Sequence, residues 1–299
     1  VLESILVCAG LALILTGALS FIYPLRWLHI RTRGVAVAVA ADGFLLVAIA
    51  AEMIDSFFVY LGLVLFFAGL ISLIRPLRFL YISNRRRGLA VAGVGILVCL
   101  TALLLPYSHK EAATHVTKLD DWMPQWQVGE RHTLHVDAPP DKVFAAIHAV
   151  RADEIFLFRT LIAIRRCGQT GPESIMNAPE HKPLLDVAMQ TTFVLLEEET
   201  PHELVVGTVI AAPRDERASG RLTTDLFRKT LRPGVVLATM NFLVIPENGG
   251  GSMLSTETRI HANSPPALRR FGVYWRLIHP GSDIIRRMWL RAIRERAER

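Results

Sequence analysis

The sequence predicts two parts of different class. The first is an all-α transmembrane region of four helices arranged as two repeated hairpins, and the second is an α+β domain with an antiparallel sheet and a long C-terminal helix. Three observations lead there. The chain is 52% apolar, but the excess lies almost wholly before Pro106. A proline-led basic motif occurs twice within that part. Beyond residue 127, short alternating stretches separated by turn residues end in one long amphipathic segment.

The apolar stretches are Leu2–Ile22, Val35–Ile54, Phe57–Ile74 and Leu89–Leu105. Each approaches the roughly 17–25 residues that carry a helix across about 30 Å of hydrocarbon. None has the polar face that a core helix of a soluble protein would show. Leu2–Ile22 lacks a basic n-region, so it reads as a span and not as a cleaved signal peptide.

The loops predict orientation. The first carries Arg26, His29, Arg31 and Arg33, and the third Arg75, Arg78, Arg85, Arg86 and Arg87; the second has only Glu52 and Asp55. Lys and Arg in short loops mark the cytoplasmic side. The N-terminus and everything after Leu105 are therefore expected outside, in a multi-pass protein of a bacterial inner membrane.

The repeat is Pro24-Leu25-Arg26-Trp27-Leu28-His29-Ile30 against Pro76-Leu77-Arg78-Phe79-Leu80-Tyr81-Ile82, followed by Arg33-Gly34 and Arg87-Gly88. Each proline suits the first position of a short helix. Trp27 and Phe79 are expected at headgroup level, with Arg26 and Arg78 facing phosphates. A duplicated anchor and a headgroup site between the hairpins both fit. Asp42 falls near mid-depth of the second span, where a carboxylate costs roughly 2.5–3.5 kcal/mol. It is expected to face the bundle interior, protonated or hydrogen-bonded near Thr16 or Ser72. A proton pathway would need more than one such group.

The net charge of +6 comes mainly from the loop arginines and an arginine-rich C-terminus. Beside membrane helices it points to an anionic lipid surface and not to nucleic acid. Cys8, Cys99 and Cys167 have no metal or redox spacing. No metal, cofactor or nucleotide motif occurs, and nothing in the sequence demands an enzyme. Protein partners are not indicated.

The expected division is a membrane region over 1–106, a linker over 107–126 and a domain over 127–299. Within the domain, Arg131–Asp137 alternates as a strand. A turn over Asp137–Asp141 then opens a helix through Val143, Phe144 and Ile147, and Ala152–Arg166 and Leu184–Met189 are helical. Phe193–Glu199, Glu203–Ala211, Val235–Ile245 and Ser252–His261 read as strands, with an extra one near Leu222–Lys229. Ser264-Pro265-Pro266 caps the last helix, which Pro280-Gly281 is expected to bend or interrupt.

Four segments carry a resemblance: Val136-Asp137-Ala138-Pro139-Pro140-Asp141-Lys142-Val143-Phe144, Glu203-Leu204-Val205-Val206-Gly207, Leu254-Ser255-Thr256-Glu257-Thr258-Arg259 and Tyr274-Trp275-Arg276-Leu277-Ile278-His279-Pro280. With the order of elements, they make Gln127–Arg299 resemble the START/polyketide cyclase-like superfamily (SRPBCC). Its helix-grip fold wraps a curved antiparallel sheet around a C-terminal helix. The resemblance implies a hydrophobic cavity there for a lipid-like small molecule. Phe193, Val205, Met240, Phe242, Tyr274 and Trp275 are its candidate lining. Glu257, which shares a strand face with Arg259, is a candidate polar anchor if that face is inward and otherwise forms a surface or rim ion pair with Arg259. An enzyme of the cyclase or dehydratase kind is the alternative, with Glu257, His202 or Asp225 as acid or base. A further alternative is a ligand-free interaction module using the basic stretch over 213–232 and the C-terminal arginines. His132 and His135, three apart on a strand, point to opposite faces.

Overall fold

The structure is a computed structural model. It describes residues 2–23, 28, 30–50, 53–169, 171–213, 222–229 and 233–299, leaving aside the side chains of 2–5, 7, 8, 22 and 50. The chain divides into two compact units, one of Val1–Leu105 with Val273–Pro280, the other of Pro106–Gly272 with Gly281–Arg299.

The first unit holds α1 (Leu2–Ile22), α2 (Arg33–Ala50), α3 (Ile54–Ile74) and α4 (Arg85–Leu104). Helix α1 packs on α2 and α3 on α4. Glycines make the packing close. They recur seven residues apart as Gly10/Gly17, Gly62/Gly69 and Gly88/Gly95. A Cβ on Gly62 would lie 2.6 Å from the Cys99 nitrogen, one on Gly69 2.5 Å from the Ala92 nitrogen, and one on Gly10 2.7 Å from the Gly43 oxygen. Backbone therefore meets backbone in both hairpins. The repeat also runs deeper than the loops, because Gly10, Gly17 and Ser20 recur 52 residues later as Gly62, Gly69 and Ser72. Both serines are buried.

Among the described residues two helices, α3 and α4, are long and apolar enough to cross a membrane, and Ala9–Phe21, within α1, is a shorter apolar stretch. Between α3 and α4 lie a 3₁₀ turn over Arg78–Leu80 and a left-handed Tyr81 (φ 62°). The Arg87 guanidinium donates to the Tyr81 carbonyl (3.3 Å) and Ser83 Oγ (2.9 Å), and Asn84 Oδ1 caps α4 by accepting from the Arg87 amide. Val273–Pro280 adds a clasp. Buried Arg276 pairs with Asp55 in the first turn of α3 (2.9 Å) and donates to the carbonyls of Leu103 and Leu105 at the end of α4.

The second unit is α+β. Strands β3 (Val128–Val136), β4 (Phe193–Glu199), β5 (Glu203–Ala211), β6 (Val236–Pro246) and β7 (Ser252–Ala262) form an antiparallel sheet in the order β3-β7-β6-β5-β4. Alternation gives the sheet two covered faces. On the inner face Leu204, Val206, Met240, Phe242, Val244 and Leu254 pack against helices α6 (Pro140–Ala149), α8 (Leu184–Thr191) and the end of α10 (Pro265–Ala297), with α7 (Phe158–Arg165) beside them. On the outer face Val205, Leu196 and Leu237 pack against Leu119, Met123 and Phe227.

Three local expectations change. The stretch 107–126 is folded and not a linker. Strand β1 (Lys110–Glu111) pairs with β2 (Gln125–Trp126), and helix α5 (Lys118–Trp122) lies between them under a Thr117/Asp120 capping box. Residues 224–229 form helix α9 instead of a strand. Thr223 Oγ1 accepts from the Leu226 amide as its cap, and Phe227 is buried where Gly207 has no Cβ to obstruct it. Helix α10 also runs unbroken through Pro280. An internal proline removes one amide donor, and the rest of a 33-residue helix carries the element through.

Candidate functional site

The inner face is not wholly apolar. On β3, Glu130 and His132 occupy the same alternating positions as Val128, Leu134 and Val136, so both point inward. Register sets Glu130 beside Thr258 and Thr258 beside Met240, and the next row is His132, Thr256 and Phe242. From α10, Ser282, Asp283, Arg286 and Trp289 recur at helical spacing and reach the same patch. Ser282 Oγ donates to Glu130 Oε1 (2.7 Å), Arg286 Nε lies 3.6 Å from the same oxygen, and the Trp289 ring meets Phe242 edge-on at 5.1 Å.

His132 sits between two acids. Its Nε2 is 3.9 Å from Glu130 Oε2 and 3.7 Å from Asp283 Oδ1, too far for a hydrogen bond in either direction. Asp283 is itself held by Arg287 through two bonds of 2.9 and 3.1 Å. Burial pulls Arg286 below its ordinary pKa, Glu130 opposes that shift, and the charge of Arg165 adds to it. The guanidinium remains protonated. It also contacts Met240 Sδ and lies over the Trp289 ring.

Several polar atoms of this patch have no hydrogen-bond partner among the described residues: both ring nitrogens of His132, Thr258 Oγ1 and Trp289 Nε1. His132 is 6% exposed, Thr258 6% and Trp289 2%. Buried polar groups are paired in the great majority of cases, so two such side chains on the sheet and one facing them from α10 single out this patch as the candidate site.

The outer face carries a second buried network, and here the polar atoms are satisfied. Arg259 pairs with Asp120 (2.7 Å) and Glu257 (2.6 Å), donates to the Met123 carbonyl (3.0 Å) and stacks on Trp126. Glu203 accepts from the Lys118 amide (2.8 Å) and from Asn241 Nδ2 (2.6 Å). These bonds hold α5 on the sheet.

The expected lining is thus divided. Phe193, Met240 and Phe242 lie on the inner face, whereas Val205 and Glu257 lie on the outer one, because each is one residue out of phase. Glu257 serves Arg259 and is no inward anchor. Tyr274 and Trp275 belong to the first unit, where Trp275 stacks on His279 at 4.8 Å. His202 and Asp225 are exposed, so neither is an inward acid or base. Asp42 is exposed on α2 and does not face the hairpin interior. Arg78 is exposed, and Phe79 meets Phe21 edge-on at 5.7 Å. Arg26 and Trp27 lie outside the described residues, as does most of the basic stretch, 214–221 and 230–232.

Sequence reasoning passed over Glu130, Asp283 and Trp289. A signal existed for the first: Glu130 keeps the parity of the apolar positions of β3. Asp283 was hidden by the expected break at Pro280-Gly281. No group of His, Cys, Asp and Glu among the described residues has the geometry to hold a metal.

No family model matches the chain, and no curated protein matches it. Among solved structures, the crystal structure of TTHA0849 from Thermus thermophilus is similar over 57% of this chain and 97% of that one, at 11% identity and a TM-score of 0.22.

Proposed function

We propose that the chain is a multi-pass membrane protein whose second unit binds a hydrophobic, lipid-like molecule between the inner face of the sheet and the end of α10. The observation that carries this reading is the group of unpartnered, buried polar atoms on His132, Thr258 and Trp289 beside Met240 and Phe242. Ligand sites combine an apolar lining with a few placed polar groups. The resemblance of Gln127–Arg299 to the START/polyketide cyclase-like superfamily supports the same location. Tethering suits the task, because an insoluble ligand need not cross water to reach its site. The four apolar stretches and the basic first and third loops favour a four-span region with the second unit outside the cytoplasm.

The test is native mass spectrometry of the full chain released from detergent. A bound apolar species, lost on denaturation, is the expected result. A clean apo mass that persists after incubation with total lipid extract overturns the binding reading. Orientation is checked separately: a Lys110→Cys protein should react with an impermeant thiol reagent in intact cells, and failure to do so reverses the assignment.

One observation favours a second reading. His132, placed between Glu130 and Asp283, has the make-up of a general acid–base centre. An enzyme of the cyclase or dehydratase kind would then act on the bound molecule, and recovery of a chemically altered ligand would distinguish it from a carrier.

A further inference from the structure

Resting on that binding site, we infer that the molecule it takes carries an uncharged, hydroxyl-bearing head, and not a carboxylate or phosphate. The argument begins with charge. Glu130 faces Arg286 at 3.6 Å, and Asp283 is held by Arg287 through two hydrogen bonds. Each carboxylate of the patch thus already has its guanidinium. Arg165 on α7 adds positive charge, but it is exposed and screened by water. An anionic head would enter beside two carboxylates, both within 4 Å of His132 Nε2, while among the described residues of the patch the Arg286 and Arg287 guanidinium groups are already engaged by those carboxylates. Burying an unmatched charge is far costlier than burying a hydrogen-bonded neutral group.

The unpartnered atoms supply the second half. The Trp289 indole N–H only donates, so the head must accept a hydrogen bond. An imidazole in its neutral form offers one donor and one acceptor, and the Thr258 hydroxyl offers both. A carboxylate, an ether or a ketone accepts only and would leave an acceptor of the patch unmet. A hydroxyl donates and accepts, so it matches the set. Met240 and Phe242 continue the same two rows of the inner face as apolar surface for the body of such a molecule.

The experiment uses the full chain in a nonionic detergent at about pH 9. The probes are a long-chain primary alcohol, its methyl ether and the fatty acid of equal length, each quantified by mass spectrometry after removal of excess ligand. The alcohol is expected to bind at least about tenfold more tightly than the acid, a factor that corresponds to about 1.4 kcal/mol. The ether should fall between them. Trp289→Phe and Thr258→Val should each reduce the alcohol-over-acid ratio; for the near-isosteric Thr258→Val the melting temperature should hold or rise, since it removes an unmet buried polar atom without opening a cavity. Acid binding equal to or tighter than alcohol binding overturns the head-group assignment and leaves the binding reading standing. Failure of all three probes to bind overturns both.

Discussion

Asp120 and Arg259 form an ion pair of 2.7 Å across the outer face of the sheet, with both side chains only 7% exposed. Asp120 simultaneously caps its own helix, accepting from the amides of Val116 and Thr117 and from Thr117 Oγ1. Burial pushes its carboxyl up, yet the hydrogen bonds from Thr117, Arg259 and Val116 outweigh that and hold it below the ordinary carboxylate value. One carboxylate thus fastens α5 to β7. Replacing Asp120 with Ala leaves a buried guanidinium short of a partner and should cost about 3 kcal/mol in denaturant unfolding of the second unit. Because the folded pKa is depressed, the stability Asp120 contributes is present above its unfolded value and is lost as pH falls through the folded one.

The glycine contacts predict opposite outcomes for one type of substitution. Gly62→Ala should lower stability in detergent by about 1–3 kcal/mol, because its methyl would meet backbone atoms of α4 that have nowhere to move. Nothing lies within 4 Å of a Cβ at Gly93, also on α4. Gly93→Ala should leave thermal stability unchanged or raise it by up to about 1 kcal/mol. Equal losses at both sites would contradict the backbone-to-backbone packing.

Arg276 and Asp55 should be energetically coupled. A double-mutant cycle with Arg276→Ala and Asp55→Ala, followed by thermal unfolding, should return about 0.5–3 kcal/mol of interaction energy. Arg276→Lys should not rescue the single loss, because an ammonium cannot present a planar fork to the carboxylate and to the carbonyls of Leu103 and Leu105 together.

His135 predicts a pH effect at the surface of the second unit. Hydrogen bonds to Asp137 and Glu247 raise its pKa above the ordinary histidine value. A raised folded pKa contributes stability that is fully present below the unfolded value and is lost as pH rises through the folded one. Titration of His135 followed by NMR should show the elevated pKa, and Glu247→Gln should lower it. An unchanged midpoint in that variant would contradict the pairing.

The four strands from Phe193 to Ala262 were legible to within a residue, because their alternation sits between clear turn signals such as Asn248-Gly249-Gly250-Gly251. What the sequence hid was which face each strand turned inward. Both faces are covered, so Val205 and Val206 are equally apolar and equally buried, and composition cannot separate them. Residues 107–126 looked polar because their acids serve buried partners far along the chain. Glu203 meeting the amide of Lys118 is a relation no local pattern carries. Helix α9 was missed because the cap at Thr223 was outweighed by the apolar Leu226 and Phe227, which read equally well as strand.

Strand β4 ends the sheet with Glu197, Glu198 and Glu199, and its pairing with β5 slips between Leu195 and Glu197. An exposed strand margin is a template on which a second chain can grow. Clustered like charges and a break in register spoil that template, since an incoming strand would meet repulsion and a disrupted hydrogen-bond ladder. Molecules crowded in the plane of a bilayer collide far more often than the same number in bulk solution. In a chain held in a bilayer, as proposed above, this acidic margin would guard against self-aggregation, and Glu197 would serve twice, since it also accepts from Trp122 Nε1 and pairs with Lys118 on α5.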